Sequence, residues 1–359
     1  MDWRQSCDAP GLSQAGAASP GIEEAGLDSR PIVRCCRAIL EFVAATDTSR
    51  LDAEYLALTE GCGLLDRSER GKLALTGAGA KAFLAGQVTN DIEALSPGGG
   101  CYAVFLTPKG KMLGDMRILD LVEELFLDTE RVALQALFDM VRRFKIGYDV
   151  ELHKRTVEQG LLSLIGPTGR EVALRAADMP GEALAEAEYS HLPAEIAGLP
   201  VRLVSADEGV DVLCEAADSE AVCAALLDTG AQPVSEAAAE IIRVEHGRPR
   251  YGTDLDDTVI PQEAGLNERA VSFTKGCYVG QETVARLHYK GKPTATCAVC
   301  ACPHPRRRAR SCAWASAPSG ISRAQLSPLF TARSAWRSSA ARPSRAQPSP
   351  LVNAASAPK

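Results

Sequence analysis

One position divides the charge of this chain. Residues 293–359 hold nine Arg and one Lys but no Asp or Glu, so all 46 acids and the other 29 bases lie in the first 292 residues. The two parts carry net charges of -17 and +10, a division that a single folded domain seldom makes. The tail also contains nine of the 21 prolines, is otherwise mostly Ala and Ser, and shows no sustained helical or alternating pattern. It cannot supply a packed core, so residues 294–359 are expected to form a disordered basic tail. Two readings compete for it: an arm that neutralises nucleic-acid phosphates, or wrong-frame translation of a GC-rich gene, which gives Arg, Pro, Ala, Ser and Cys without acids.

What precedes the tail is long enough for two or three domains at roughly 100–200 residues each. No run approaches the roughly 18 apolar residues that cross a bilayer. Asp2, Asp8, Glu23 and Glu24 stand where a secretory or mitochondrial leader avoids acids. The expectation is a soluble protein of the bacterial cytoplasm, without signal or transit peptide and without a membrane partner. Cys7, Cys35, Cys36, Cys62, Cys101, Cys214, Cys223 and Cys277 show no paired framework, so reduced thiols are expected, most of them small core residues. Cys297, Cys300, Cys302 and His304 have the spacing of half a zinc site, but no second half accompanies them and no metal is expected.

Residues 1–50 read as a poorly ordered extension. Lys72–Thr76 alternates as a strand, Gly77 and Gly79 break it, and Ala80–Ala85 begins a helix. Cys101–Thr107 and Met112–Leu121 read as strands joined by a turn at Pro108–Lys111, and Leu125–Leu127 as a third. Leu134, Leu137, Phe138 and Val141 then share one helical face. Beyond Tyr148 the pattern gives strands at Leu161–Ile165, Leu199–Val204 and Val210–Cys214, with helices at Arg170–Ala177 and Ala217–Leu227. Hairpins interleaved with helices predict an α+β fold of mixed sheets rather than a doubly wound one. No Gly-x-Gly-x-x-Gly helix start and no Walker loop are present.

The most specific segment is Lys275-Gly-Cys-Tyr-Val-Gly-Gln-Glu282. Gly276 permits a tight turn, and Gly280 allows close approach of a backbone or ligand where a helix starts. Cys277 would sit near unpaired N–H groups and two residues from Lys275, both favouring thiolate. The alternative is a turn cysteine beside a solvated lysine, with Glu282 and Arg286 as an ordinary i,i+4 pair.

This segment resembles the signature of the YgfZ family, folate-binding relatives of the glycine-cleavage T-protein. Gly63-Leu-Leu-Asp-Arg-Ser68, Gln87-Val-Thr-Asn-Asp91, Tyr102-Ala-Val-Phe-Leu-Thr-Pro-Lys-Gly110, Arg243-Val-Glu-His-Gly247 and Pro261-Gln-Glu-Ala-Gly265 are similar to further pieces of that family, over about residues 54–293. The resemblance implies a T-protein-like fold around a folate-binding hole: a first folate-binding part at 51–150, a second α+β domain at 151–232, and a return segment at 233–293. The family's C-terminal β-barrel would follow Pro293, where the acid-free tail begins instead, so the barrel is expected to be absent or truncated.

The resemblance also implies site residues. Glu245 would grip the amino and ring N–H groups of a tetrahydrofolate pterin, two acceptors facing two donors. Tyr102 and Tyr251 would pack on the ligand, Arg243 and Arg286 would meet its glutamate tail, and Asp115, Gly280, Gln281 and Glu282 would complete the contacts. Each tyrosine has a core role as its alternative, each arginine a surface ion pair, and Asp115 a turn-capping or core role. Cys277 would be the reactive thiol and Lys275 its electrostatic activator.

The implied function is a folate-dependent accessory to iron–sulfur enzymes or their assembly proteins, with tRNA modification affected indirectly. One cysteine does not hold a cluster, so no stably bound one is expected. A rival is aminomethyl transfer from a lipoyl carrier. Gly114 counts against it, since it replaces the first carboxylate of the T-protein's Asp-Asp pair. The third reading is nucleic-acid binding through the tail; otherwise no direct contact with nucleic acid is expected.

Overall fold

A computed structural model of the chain describes residues 48–291. Helix α1 (Thr48–Glu60) leads into β1 (Gly63–Asp66), β2 (Gly71–Thr76), α2 (Ala80–Ala85), β3 (Gly100–Leu106), β4 (Met112–Asp120), β5 (Leu125–Thr129), α3 (Leu134–Phe144) and β6 (Glu151–Lys154). The second half adds β7 (Gln159–Ile165), α4 (Gly169–Ala176), β8 (His191–Ile196), β9 (Leu199–Ala206), β10 (Gly209–Glu215), α5 (Ser219–Asp228), β11 (Gln232–Pro233), α6 (Glu236–Glu245), α7 (Asn267–Ala270) and α8 (Gln281–Lys290). The fold is mixed α+β, with two sheets and no closed barrel among the described residues.

The strands pair in the orders β3-β4-β5-β2-β6 and β11-β1-β7-β10-β9-β8. Sheet membership crosses the expected boundary at residue 150 twice. β1 pairs with β7 from Gly63↔Ile165 to Asp66↔Leu162, and β6 pairs with β2 from Leu73↔Lys154 to Thr76↔Glu151. Alternation along each strand sends side chains to opposite faces. Phe105, Met116, Ile118 and Leu127 of the first sheet pack under α2 and α3 with Phe83, Leu137 and Val141. Leu162, Leu164, Val210 and Val212 of the second pack under α4 and α5 with Val172 and Leu226. The remaining faces meet: Tyr102, Val104, Leu119 and Phe126 join Leu161, Val204 and Leu213 in one core, which Leu255, Val259, Leu266, Tyr278 and Val284 complete. Residues 251–284 are thus packed directly on the faces where the two sheets meet.

Helix α1 begins just inside the stretch expected to be poorly ordered. Its Leu51 and Leu58 are buried against Ala238 and Ile242 of α6. Glu54 of α1 accepts from the Ser235 backbone N–H, and Ser235 in turn caps α6 by accepting from the N–H of Ala238. No helix among the described residues is long and apolar enough to cross a membrane. Cys7, Cys35, Cys36, the cysteines beyond Gly291, the expected zinc half-site and the basic tail lie outside the described residues.

Candidate functional site

The layer between the sheets is apolar except for a group of paired charges. Arg117 of β4 donates from Nε to Asp128 at 2.5 Å and reaches Asp211 of β10 with its other arm, and Ser163 of β7 donates to Asp211 at 2.5 Å. Arg70 donates to both oxygens of Asp128, at 2.9 and 3.1 Å, and also binds Glu130. Burial alone would raise the Asp128 carboxyl, but Arg117 and Arg70 outweigh it and hold the group down at about 2. Asp115, two residues before Arg117, has no bonded cation among the described residues. It is buried, accepts from the Tyr102 hydroxyl at 2.6 Å, and burial pushes it up to about 6 against the lowering effect of that bond.

Tyr102 also faces a cavity of about 400 Å³, shared with Asn90, Cys101, Tyr189, Glu188 and Arg269. The Arg269 guanidinium lies over the Tyr102 ring, 4.5 Å from its centroid, and binds Glu188 and the Tyr189 hydroxyl. Burial pushes the Cys101 thiol up to about 12, which makes it a poor nucleophile. Asn90, Tyr189, Glu188 and Arg269 were not singled out in the sequence. Two signals lay close by: Asn90 falls inside Gln87-Val-Thr-Asn-Asp91, and Arg269 follows Pro261-Gln-Glu-Ala-Gly265 by four residues.

Glu245 stands elsewhere. It ends α6 and lines a second cavity of about 650 Å³ with Tyr55, Leu58, Ile165, Ile242 and His246. Both its carboxylate oxygens accept from the Tyr55 hydroxyl, at 3.0 and 2.9 Å. On the rim, Asp207, Glu208 and His246 bring three donor atoms within 4.8 Å of one another, but Arg248 pairs with Asp207 and Glu208 with His246. Of the expected folate contacts, Glu245 and Tyr102 therefore line different cavities. Arg243 is bound by Glu240 and, at 2.5 Å, by Asp254. Tyr251 is partly buried against the core, Asp115 sits behind Tyr102 outside the cavity lining, and Arg286 is exposed on α8.

The signature segment is an interlocked turn. Gly280, at φ +83°, caps the start of α8, and a Cβ there would lie 2.6 Å from the Thr107 carbonyl oxygen and 3.2 Å from Gly110 Cα. Gly110, at φ +77°, faces Thr283 of α8 just as closely, with a Cβ 2.8 Å from the Thr283 Cβ. The close approach expected at Gly280 is thus made by the chain's own β3–β4 turn, not by a ligand. Tyr278 is buried in the central core, the Val279 N–H donates to the Gly86 carbonyl at 3.2 Å, and the Gln281 amide turns back to the Gly276 carbonyl at 3.5 Å. Gln281 thereby closes its own turn, and Glu282 is exposed.

The Lys275 side chain reaches the loop after α2. Its ammonium donates to the carbonyls of Ala85, Val88 and Asn90 at 2.5, 2.7 and 2.9 Å. Burial lowers it to about 8, opposed by Asp91, Cys101 and Glu93. Cys277 itself is exposed, and its thiol makes no hydrogen bond among the described residues.

The sequence profile of the GCVT N-terminal domain matches residues 39–275. A chloroplastic protein of Arabidopsis thaliana that carries the name putative transferase is 29% identical over 234 residues, covering 64% of this chain and 54% of the relative, so the chain spans about half of that protein's length. An aminomethyltransferase of Streptomyces avermitilis is 28% identical over 255 residues, covering 67% of each chain. The solved glycine cleavage system aminomethyltransferase T of Bartonella henselae shares the fold, with a TM-score of 0.59 at 24% identity over 67% of each chain. With about two thirds of its residues inside the matched profile, the chain belongs to the GCVT N-terminal domain family.

Proposed function

We propose that the protein binds tetrahydrofolate or a folate derivative and supports iron–sulfur cluster assembly or repair, as its resemblance to the YgfZ family implies. The observation that carries this reading is the contrast within the signature. Lys275, Tyr278, Val279, Gly280 and Gln281 are all occupied in holding the turn, while Cys277 is left exposed at its tip. A thiol so placed makes no use of burial, so its chemistry rather than its packing accounts for its place there.

The 650 Å³ cavity offers what a pterin needs: a carboxylate with two acceptor oxygens, Glu245, and apolar walls from Leu58, Ile165 and Ile242. Glu245 would hold the pterin amino and ring N–H groups in competition with the Tyr55 hydroxyl. Bound tetrahydrofolate supplies a nitrogen that accepts one-carbon units. Cys277 meets the client from the surface. The test is rescue of an iron–sulfur-enzyme defect in cells lacking the protein: Cys277→Ala is expected to lose rescue, and full rescue by that variant would refute the role of the thiol.

A second reading, aminomethyl transfer, draws support from position 114. A Cβ on Gly114 would point at the Phe105 ring, 2.6 Å away, and at Ala133, in the core on the far side of the sheet from Tyr102. A carboxylate at 114 would therefore not have faced the Tyr102 side, and Asp115 remains there as an acid that burial pushes up to about 6. Reconstituted glycine cleavage decides: ammonia release and methylenetetrahydrofolate formation favour this second reading.

A further inference from the structure

We infer that Lys275 is a positioning residue, a latch that fixes the Cys277 turn to the loop after α2 and links it through Asn90 to the cavity at Tyr102 and Arg269. A lysine ammonium has three protons, and all three are directed at the carbonyls of Ala85, Val88 and Asn90. None is left for a thiolate. Ala85 is the last residue of α2, so its carbonyl belongs to the helix end that lacks an intrahelical partner. The same loop is tied to the chain before and after Lys275, by the Ser272 N–H to the Thr89 carbonyl at 3.0 Å and the Val279 N–H to the Gly86 carbonyl at 3.2 Å. Turn and loop therefore hold as one unit, with Lys275 at its centre and the Tyr278 ring beside the ammonium at 5.1 Å.

The link onward to the cavity lining runs through Asn90. Asn90 gives its backbone carbonyl to Lys275, while its amide donates to the carbonyls of Tyr102 at 2.9 Å and Arg269 at 3.3 Å. Asn90, Tyr102 and Arg269 all line the 400 Å³ cavity. Whatever shifts Arg269 or Tyr102 acts on Asn90, and Asn90 acts on the latch. The inference rests on Cys277 as the working thiol, but the exchange measurement below stands without that reading.

The test uses the full chain with Lys275→Met, Lys275→Arg and Asn90→Ala, and two readouts. One is amide hydrogen exchange over residues 85–91 and 276–280; the other is the pH profile of iodoacetamide labelling at Cys277, read on its peptide. A latch predicts that Lys275→Met speeds exchange in both segments by about tenfold or more, while the midpoint of the labelling profile stays where it is in the native chain. Asn90→Ala keeps every carbonyl acceptor and is expected to speed exchange at 276–280 by about threefold. It carries the test alone if Lys275→Met does not fold. A labelling midpoint that rises in Lys275→Met, holds in Lys275→Arg, and leaves exchange unchanged would make Lys275 an electrostatic activator and overturn the inference. Native exchange at 276–280 in Asn90→Ala would break the link to the cavity.

Discussion

Asp115 and Asp128 are both buried, on neighbouring strands of one sheet, and on the same face of it, yet one is pushed up to about 6 and the other held at about 2. Burial acts on both in the same direction. Asp128 receives four hydrogen bonds from Arg70 and Arg117, whereas the Asp115 carboxylate, among the described residues, accepts only from the neutral Tyr102 hydroxyl. Bonded cations, not depth, decide which buried carboxylate is structural and which keeps a proton available near neutral pH. Asp128 lies in the ion network that joins the sheets; Asp115 lies behind a cavity wall.

Removing the structural member should have the largest effect. Asp128→Asn leaves Arg70 and Arg117 with only Glu130 and Asp211, and a loss of about 3–5 kcal/mol is expected in denaturant unfolding. A loss under about 1 kcal/mol would mean that Asp128 is not a structural carboxylate.

The two carboxylates also predict opposite responses to acid. The Asp115 carboxyl is raised from 3.8 to about 6, so its contribution favours folding below about pH 4 and is lost as pH rises through about 6, roughly 3 kcal/mol in all. The Asp128 carboxyl is lowered from 3.8 to about 2, so its contribution is present above about pH 4 and is lost as pH falls through about 2. Asp115→Asn should flatten the stability profile between about pH 4 and 6 and leave the fall below pH 4 in place. A profile between pH 4 and 6 unchanged by that substitution would break the comparison.

Tyr102→Phe sharpens it further. Deleting the hydroxyl removes the one hydrogen bond that lowers Asp115, so the carboxyl should titrate higher still, with a loss of about 1–2 kcal/mol at neutral pH. Carbon-detected NMR of the aspartate carboxyl checks the direction. Smallest of all, Cys277→Ala should change stability by less than about 0.5 kcal/mol, because the thiol is exposed and unbonded.

The sequence shows local order far better than partnership. Lys72–Thr76, the β3–β4 hairpin and the helix at Leu134–Val141 were legible because their periodicity and turn glycines lie within a dozen residues. That Gly63–Asp66 pairs with β7 and Glu151–Lys154 with β2 was not, since a strand's alternation does not name its neighbour. Helix α6 was missed as well; its buried residues are Ala237, Ala238, Ala239, Ile242 and Val244, and three consecutive alanines mark no single face. The same limit applies at the site. Two residues of separation suggested that Lys275 acts on Cys277, but adjacency does not fix where a long side chain points, and three carbonyls from residues 85–90 claimed it. Arg243 is likewise bound by Glu240, three residues before it, and by Asp254, a partner visible only once α6 and the following loop are folded.

The most direct test of the account is calorimetric titration of tetrahydrofolate into the native chain, Glu245→Ala and Cys277→Ala. Saturable binding that weakens in Glu245→Ala and is unchanged in Cys277→Ala is the predicted result. No binding by the native chain, or binding that survives Glu245→Ala intact, would contradict it.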